Sequence, residues 1–309
     1  MSTHGGTKAI VAALLANLGI AVTKFIAFLL TRSASMLAEA VHSVADSGNQ
    51  LLLLLAGRRA RRAPDATHPF GYGRYRYFYA FVVAIVLFSV GGLFALYEAW
   101  HKFADPHPIE GRWWWVPVVV LVAAIGMESF SLRTAVRESN VVRGDRGWAE
   151  FVRTSRAPEL PVVLLEDVGA LLGLVFALFG VSMTLYTHNG QWDAIGSAAI
   201  GLLLVVIAIV LARETTSMIL GEAATPEDVA AVRAALVGGS VASVIHLRTM
   251  HLGPEEVLVA AKIEVPGAAT AGEVAQAIDD AEQRVRAAVP YASLIYLEPD
   301  LRHSVAQAD

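Results

Sequence analysis

Six long apolar runs constrain this chain more than anything else in it. They lie at about 8–30, 33–56, 77–100, 113–132, 161–185 and 192–212. Each is near the roughly 20 residues that a helix needs to cross about 30 Å of hydrocarbon. Backbone polar groups cannot stay unpaired in lipid, so helices are the natural spanning form. Composition agrees: 55% of the residues are hydrophobic and only 17% are charged, where a soluble domain has about a quarter charged. A secretory leader is the alternative for the first run, because Ser33-Ala34-Ser35 follows it. That run is long for a leader, however, and carries Asn17 and Lys24. The chain has no cysteine, which removes disulfides, thiolate ligands and thiol catalysis. Its net charge of −4 gives no reason to expect a nucleic-acid partner.

Charge asymmetry sets the expected orientation. Arg58, Arg59, Arg61, Arg62, Arg74 and Arg76 follow the second run, and Arg133, Arg137, Arg143, Arg146, Arg153 and Arg156 follow the fourth. The opposite connections carry Arg32, Lys102 and Arg112. By the positive-inside rule both arginine-rich loops are cytoplasmic, and so are both termini. Arginine clusters also suit phosphate or lipid headgroups, but orientation alone accounts for them. Trp100, Trp113, Trp114, Trp115 and Trp192 gather at the outer ends, as an interfacial belt does. The Ala- and Arg-rich usage, with no recognisable targeting peptide, suits a bacterial inner membrane.

The chain divides on this reading into a six-helix transmembrane domain, residues 1–213, and a small cytoplasmic α+β domain, residues 214–309. Thr225-Pro226-Glu227-Asp228 reads as a helix start, with Thr as N-cap, Pro in the first turn and acids behind it. Gly238-Gly239 stops that helix. Strands follow at about 244–251 and 257–265, Thr270 caps a second helix to about 288, and a last strand spans about 294–297. The predicted order is α-β-β-α-β.

The second run is interrupted by Glu39, His42, Ser43, Asp46, Asn49 and Gln50 at spacings of three and four, which places them on one helix face. A carboxylate in lipid costs about 2.5–3.5 kcal/mol on insertion scales, so it needs a partner or a task. The fifth run contains Glu166-Asp167. At 1.5 Å per residue, Asp46 lies roughly 20 Å below the outer end of its span and Asp167 roughly 10 Å above the inner end of its own. In a 30 Å core those depths coincide. Adjacent helical residues are about 100° apart, so one of Glu166 and Asp167 points fully at the second span. The pattern favours Asp167. It leaves Glu166 as a further ligand, a proton carrier or a supporting neighbour.

Imidazole with carboxylates and no thiolate suits zinc, iron, cobalt or manganese. His42, Asp46 and Asp167 supply three ligands, and Glu166, Asn49 or water a fourth. Lys24 and Glu39 lie at similar depths on neighbouring antiparallel spans and read as an ion pair, or else as a gating element. Glu128 sits near the inner end of the fourth span. It reads as a ligand or proton relay at the mouth of the path, or as a side chain snorkelling to the interface.

His42-x-x-x-Asp46, the fifth-span carboxylates, His68-Pro-Phe-Gly-Tyr-Gly-Arg74-Tyr75 ahead of the third span, and a ferredoxin-like tail together resemble the cation diffusion facilitator family, zinc-transporter type. Glu166-Asp167 is similar to the branch that carries Glu-Asp on the fifth span. The resemblance implies a homodimeric secondary transporter that exchanges a divalent metal for protons and exports it from the cytoplasm, with zinc the first candidate ion. It implies that His42, Asp46 and Asp167 occupy three of four ligand positions. The fourth position holds Val163, which cannot bind metal. Near the tail positions Ile245, Lys262, Tyr296 and Glu298 many members carry ligands, and here only Glu298 qualifies. The tail is therefore expected to dimerise without sensing metal, with His246 and His251 as surface residues. There is no phosphate-binding GxxxxGK[ST] loop, no nucleophile motif and no cofactor motif, so neither ATP-driven transport nor an enzyme is expected. A membrane-bound metal sensor or scaffold is the alternative function.

Overall fold

The computed structural model describes residues 3–109 and 111–301, with side chains from residue 17 onward. The helices are α1 (Thr3–Thr31), α2 (Ala34–Ala60), α3 (Tyr75–Ala104), α4 (Val116–Arg143), a short α5 (Trp148–Thr154), α6 (Glu159–Thr187) and α7 (Gln191–Leu220). Among the described residues α3, α4, α6 and α7 are long and apolar enough to span a membrane. The described apolar part of α1, Asn17–Thr31, is shorter, and the polar groups of α2 dilute an otherwise sufficient length. The part of the first predicted run before residue 17 has no described side chains. The fold is that of an α-helical membrane protein with a small α+β domain. Contacts divide the described residues into two units, one within Met1–Arg58 and Arg76–Thr216, the other within Arg59–Tyr75 and Ser217–Asp309.

In the first unit the helices are apolar inside and outside. Leu87, Leu121, Leu174, Ile200, Leu204 and Leu211 fill the core, while Val119, Val122 and Phe130 on α4 face outward. Hydrophobicity on all sides is what a lipid environment demands. Helix α4 starts at Val116 rather than Trp113. Pro117 occupies its first turn, where a missing N–H costs nothing, and Trp113–Trp115 form the preceding turn.

Small residues let the backbones approach. A Cβ on Gly92 would lie 2.7 Å from Val205 Cγ2 and 3.3 Å from Gly201 O. A Cβ on Gly180 would lie 2.8 Å from Trp192 O. Helix α3 is also not a regular α-helix throughout: Leu87–Leu93 is π-helical, which its apolar sequence did not announce.

The N-terminal end of α2 is capped from another helix. Asp193, at the start of α7, accepts hydrogen bonds from Ser33 Oγ (2.8 Å), the Ala34 amide (2.7 Å) and the Ser35 amide (3.2 Å). These amides are among the donors that a helix start leaves unpaired. At the other end, Arg76 of α3 makes a two-pronged ion pair with Glu159 of α6.

The second unit contains α8 (Pro226–Leu236), β1 (Ser243–Gly253), β2 (Glu256–Glu264), α9 (Ala271–Ala288) and β3 (Ala292–Asp300), in the predicted order. The sheet order is β1-β2-β3, with β1 antiparallel and β3 parallel to β2. Val257, Val259, Ala261 and Ile263 alternate inward from β2 and meet Val232 and Leu236 of α8 and Ala277, Ala281 and Val285 of α9. The Thr225 side chain accepts from the Asp228 amide, and Thr270 with Glu273 forms a full capping box. Strand β3 runs beyond the predicted four residues and through Pro299, which an edge strand tolerates.

The loop Arg59–Tyr75 belongs to this unit. Gly73 lies so close to the hairpin that a Cβ there would be 2.7 Å from Leu252 O, and Arg74 Nη2 reaches Met250 Sδ at 3.1 Å. Within the loop Asp65 accepts from the Thr67 and His68 amides and from Tyr72 Oη.

Candidate intramembrane ion site

The polar face of α2 forms as its spacing predicts. Glu39, His42, Ser43, Ser47 and Asn49 are buried, and Asp46 retains 16% side-chain exposure. His42 Nε2 lies 3.6 Å from Asp46 Oδ2, beyond hydrogen-bonding distance. Both ring nitrogens of His42, Asp46 Oδ1 and Asn49 Oδ1 are buried without a hydrogen-bond partner among the described residues. Gly91, within the π-helical segment of α3, passes close by. A Cβ on it would lie 3.9 Å from His42 Nδ1 and 3.1 Å from Leu204 Cδ1. π-helical turns recur at functional sites, and here the irregular backbone borders the imidazole.

Helix α6 presents its two acids to different neighbours. Glu166 is buried and accepts a 2.7 Å hydrogen bond from Asn49 Nδ2 of α2. Asp167 is half-buried and accepts a 2.9 Å bond from Ser131 Oγ of α4. Val163, four residues before Asp167, packs into the cluster of Ala135, Phe151 and Leu164, away from α2. Asp46 lies within electrostatic range of Glu166, Asp167 and Glu128. Among the described residues, no three His, Asp or Glu side chains converge closely enough to hold a metal ion as they stand. Of the candidate ligands singled out from sequence, Asn49 and Glu166 are in direct contact across α2 and α6.

Lys24 of α1 pairs with Glu39 at 3.0 Å and donates to Ser43 Oγ at 2.8 Å, with both charged groups buried. Glu128 is half-buried on α4. The bonds from Ser131 to Asp167 and from the start of α2 to Asp193 were not foreseen. In the tail, Lys262 Nζ contacts Glu298 at 3.2 Å and Asp300 at 2.7 Å, so Glu298, the one ligand-type residue among positions 245, 262, 296 and 298, has a lysine partner. His246 is exposed, as expected. His251 is not a surface residue. It is 2% exposed, with Nδ1 3.3 Å from Gly253 O, because the strand end at which it sits is covered.

A bundle of apolar helices that buries ionisable side chains on its inner faces defines an integral membrane protein. The cation efflux transmembrane domain matches residues 10–220, and the chain belongs to that family, the cation diffusion facilitators of zinc-transporter type. It is 31% identical over 247 residues to the human proton-coupled zinc antiporter SLC30A9, mitochondrial, a match covering 79% of this chain and 43% of that one. It is 28% identical to metal tolerance protein C4 of Arabidopsis thaliana, over 84% of this chain and 57% of that one. To zinc transporter ZitB of Pectobacterium atrosepticum it is 30% identical, over 68% of this chain and 60% of that one. The chain thus spans less than half the length of the human relative.

Proposed function

We propose that this chain is a secondary active transporter that moves a divalent cation out of the cytoplasm in exchange for protons, with zinc as the first cargo. The observation that carries this reading is the set of unpartnered polar atoms on α2: both His42 nitrogens, Asp46 Oδ1 and Asn49 Oδ1. An unsatisfied buried polar atom costs about 1–3 kcal/mol. A cation or a proton shared with Glu166, and with Asp167 and Glu128 beside it, would satisfy them. The donor set of imidazole and carboxylate oxygen suits zinc, with manganese, iron or cobalt as weaker competitors.

Metal binding requires a neutral imidazole and ionised carboxylates, so cargo and protons compete for the same atoms. That competition is the exchange chemistry: protons loaded from one side displace metal, and metal loaded from the other displaces protons. The names of the human and bacterial relatives, a proton-coupled zinc antiporter and a zinc transporter, support the same reading. So does the transporter family, which gives no reason to expect an enzyme. The protein works as a homodimer in a bacterial inner membrane, with both termini cytoplasmic and the tail contributing to the dimer.

The test is zinc flux in reconstituted vesicles with an imposed pH gradient and with manganese, iron and cobalt in competition. Zinc movement that follows the gradient and stops in Asp46→Asn supports the reading. Tight zinc binding without flux would make the chain a sensor or scaffold instead.

A further inference from the structure

We propose that Lys24 is a resident counter-cation that keeps Glu39 out of the ion site and sets how much added positive charge the site accepts. The inference rests on the ion site proposed above and names a regulator of its affinity. Glu39, His42 and Asp46 stand at i, i+3 and i+7 on α2, a single stripe on one helix face. By position Glu39 is as well placed to serve a cation beside His42 as Asp46 is. Asp46 Oδ1 and Glu39 Oε1 both lack a hydrogen-bond partner among the described residues, but Glu39 Oε2 is held by the ammonium of Lys24 at 3.0 Å. Both members of that pair are at most 1% exposed, so the pairing is not a surface accident.

Two further observations give the pair a direction. Lys24 Nζ also binds Ser43 Oγ at 2.8 Å, and Ser43 lies one turn before Asp46 on the site side of α2. The pair therefore turns its positive end toward the site. On the other side, Glu39 Oε1 has no partner among the described residues. It is pressed against α6, where a Cβ on Gly173 would lie 2.8 Å from it. Glu39 is held by charge on one side and by backbone on the other. Lys24 thereby prevents a second carboxylate on the stripe from trapping the cargo.

This role makes the two partners act in opposite directions, which a purely structural pair would not. Zinc binding to the full-length protein in detergent, measured by calorimetry at fixed pH, separates the two. Lys24→Gln should bind zinc at least about tenfold more tightly, since a nearby like charge is removed and a carboxylate is released. In vesicles the same variant should show a lower KM together with a lower kcat, because release slows. Glu39→Gln should weaken binding by a similar factor, and Lys24→Gln/Glu39→Gln should return close to wild type. If Lys24→Gln alone does not fold, Glu39→Gln is compared with the double variant, where adding Lys24→Gln should recover affinity. Weakening by both single changes, or no change in either, overturns the inference. Asp46→Asn serves as the reference. If it leaves zinc binding intact, the ion site itself is misplaced and the role of Lys24 falls with it. If it abolishes binding while the two single variants move together, only the role of Lys24 falls.

Discussion

Asn49→Ala tests the contact through which α2 and α6 share the site. Asn49 Nδ2 donates to Glu166 Oε1 at 2.7 Å, and both side chains are buried. A hydrogen bond to a charged acceptor contributes about 1.5–3 kcal/mol. In the proposed site this bond fixes the orientation of the Glu166 carboxylate. If that orientation is needed only in the metal-bound state, its loss weakens binding by about 10- to 150-fold, since 1.4 kcal/mol is a factor of ten. Loss of a partner behind a metal ligand in general costs 10- to 100-fold, the same range. Ser131→Ala is the matched control. Its 2.9 Å bond to Asp167 is more exposed, so water replaces it and the loss should stay below about fivefold. Zinc titration of the purified variants measures both, with circular dichroism confirming unchanged helix content. Binding by Asn49→Ala within twofold of wild type, or a larger loss in Ser131→Ala, would refute the assignment of Glu166 to the site. Tighter binding would show that Asn49 competes for Glu166 rather than positions it.

Val163→His should change zinc affinity less than twofold, because position 163 faces Phe151 and Leu132 rather than α2; a large gain would mean that α6 is rotated in the working protein. Gly92→Ala should lower the unfolding temperature in detergent, by about 1–3 kcal/mol of stability, because Val205 and the Gly201 backbone leave no room for a methyl group; unchanged stability would refute that crossing. Thr270→Ala should cost the second unit about 1 kcal/mol, read as weaker hydrogen-exchange protection of α9, since the capping box is lost. The Tyr72 hydroxyl, with the His68 and Thr67 amides, holds the Asp65 carboxyl below the ordinary aspartate range. The loop turn is therefore fully supported above about pH 4 and loosens as pH falls further. Tyr72→Phe should raise the Asp65 midpoint seen by carboxyl NMR, and an unmoved midpoint would remove Tyr72 as the cause.

Local signals in the sequence were sufficient for the long helices and for the elements of the tail, though not for the short α5. Apolar length located the long helices, Thr225-Pro226 and Thr270 with Glu273 located the tail helices, and alternation along Val257–Ile263 located the central strand. What escaped was tertiary. The π-helical Leu87–Leu93 depends on how Gly91 and Gly92 meet α7, and hydropathy does not record that. In sequence Asp193 is a single acid at the start of an apolar run, yet it caps a helix about 160 residues away. The loop Arg59–Tyr75 read as a charged connection, but Gly73 fits it against the β1–β2 hairpin.

The polar stripe on α2 was legible because four kinds of polar side chain repeated at helical spacing in an apolar run. The choice between Glu166 and Asp167 was not, because adjacent residues point about 100° apart and neither identity says which way α6 turns. Family pattern pointed to Asp167, yet Glu166 is the one that touches α2. A usable signal did exist in the glycines. Gly169, Gly173 and Gly180 follow Glu166 by 3, 7 and 14 residues, the spacing of one helix face. Glycines in a membrane helix mark where a neighbour's backbone comes closest. Here each meets α2 or α7: Gly173 meets Glu39, Gly169 meets Ile207, and Gly180 meets Trp192. Asp167 instead shares its face with Val163, on the side of α4 and α5. In a helix that is apolar all round, the phase of the small residues, rather than that of the apolar ones, identifies the inward face. Applied to α6 before any coordinates, that rule selects Glu166.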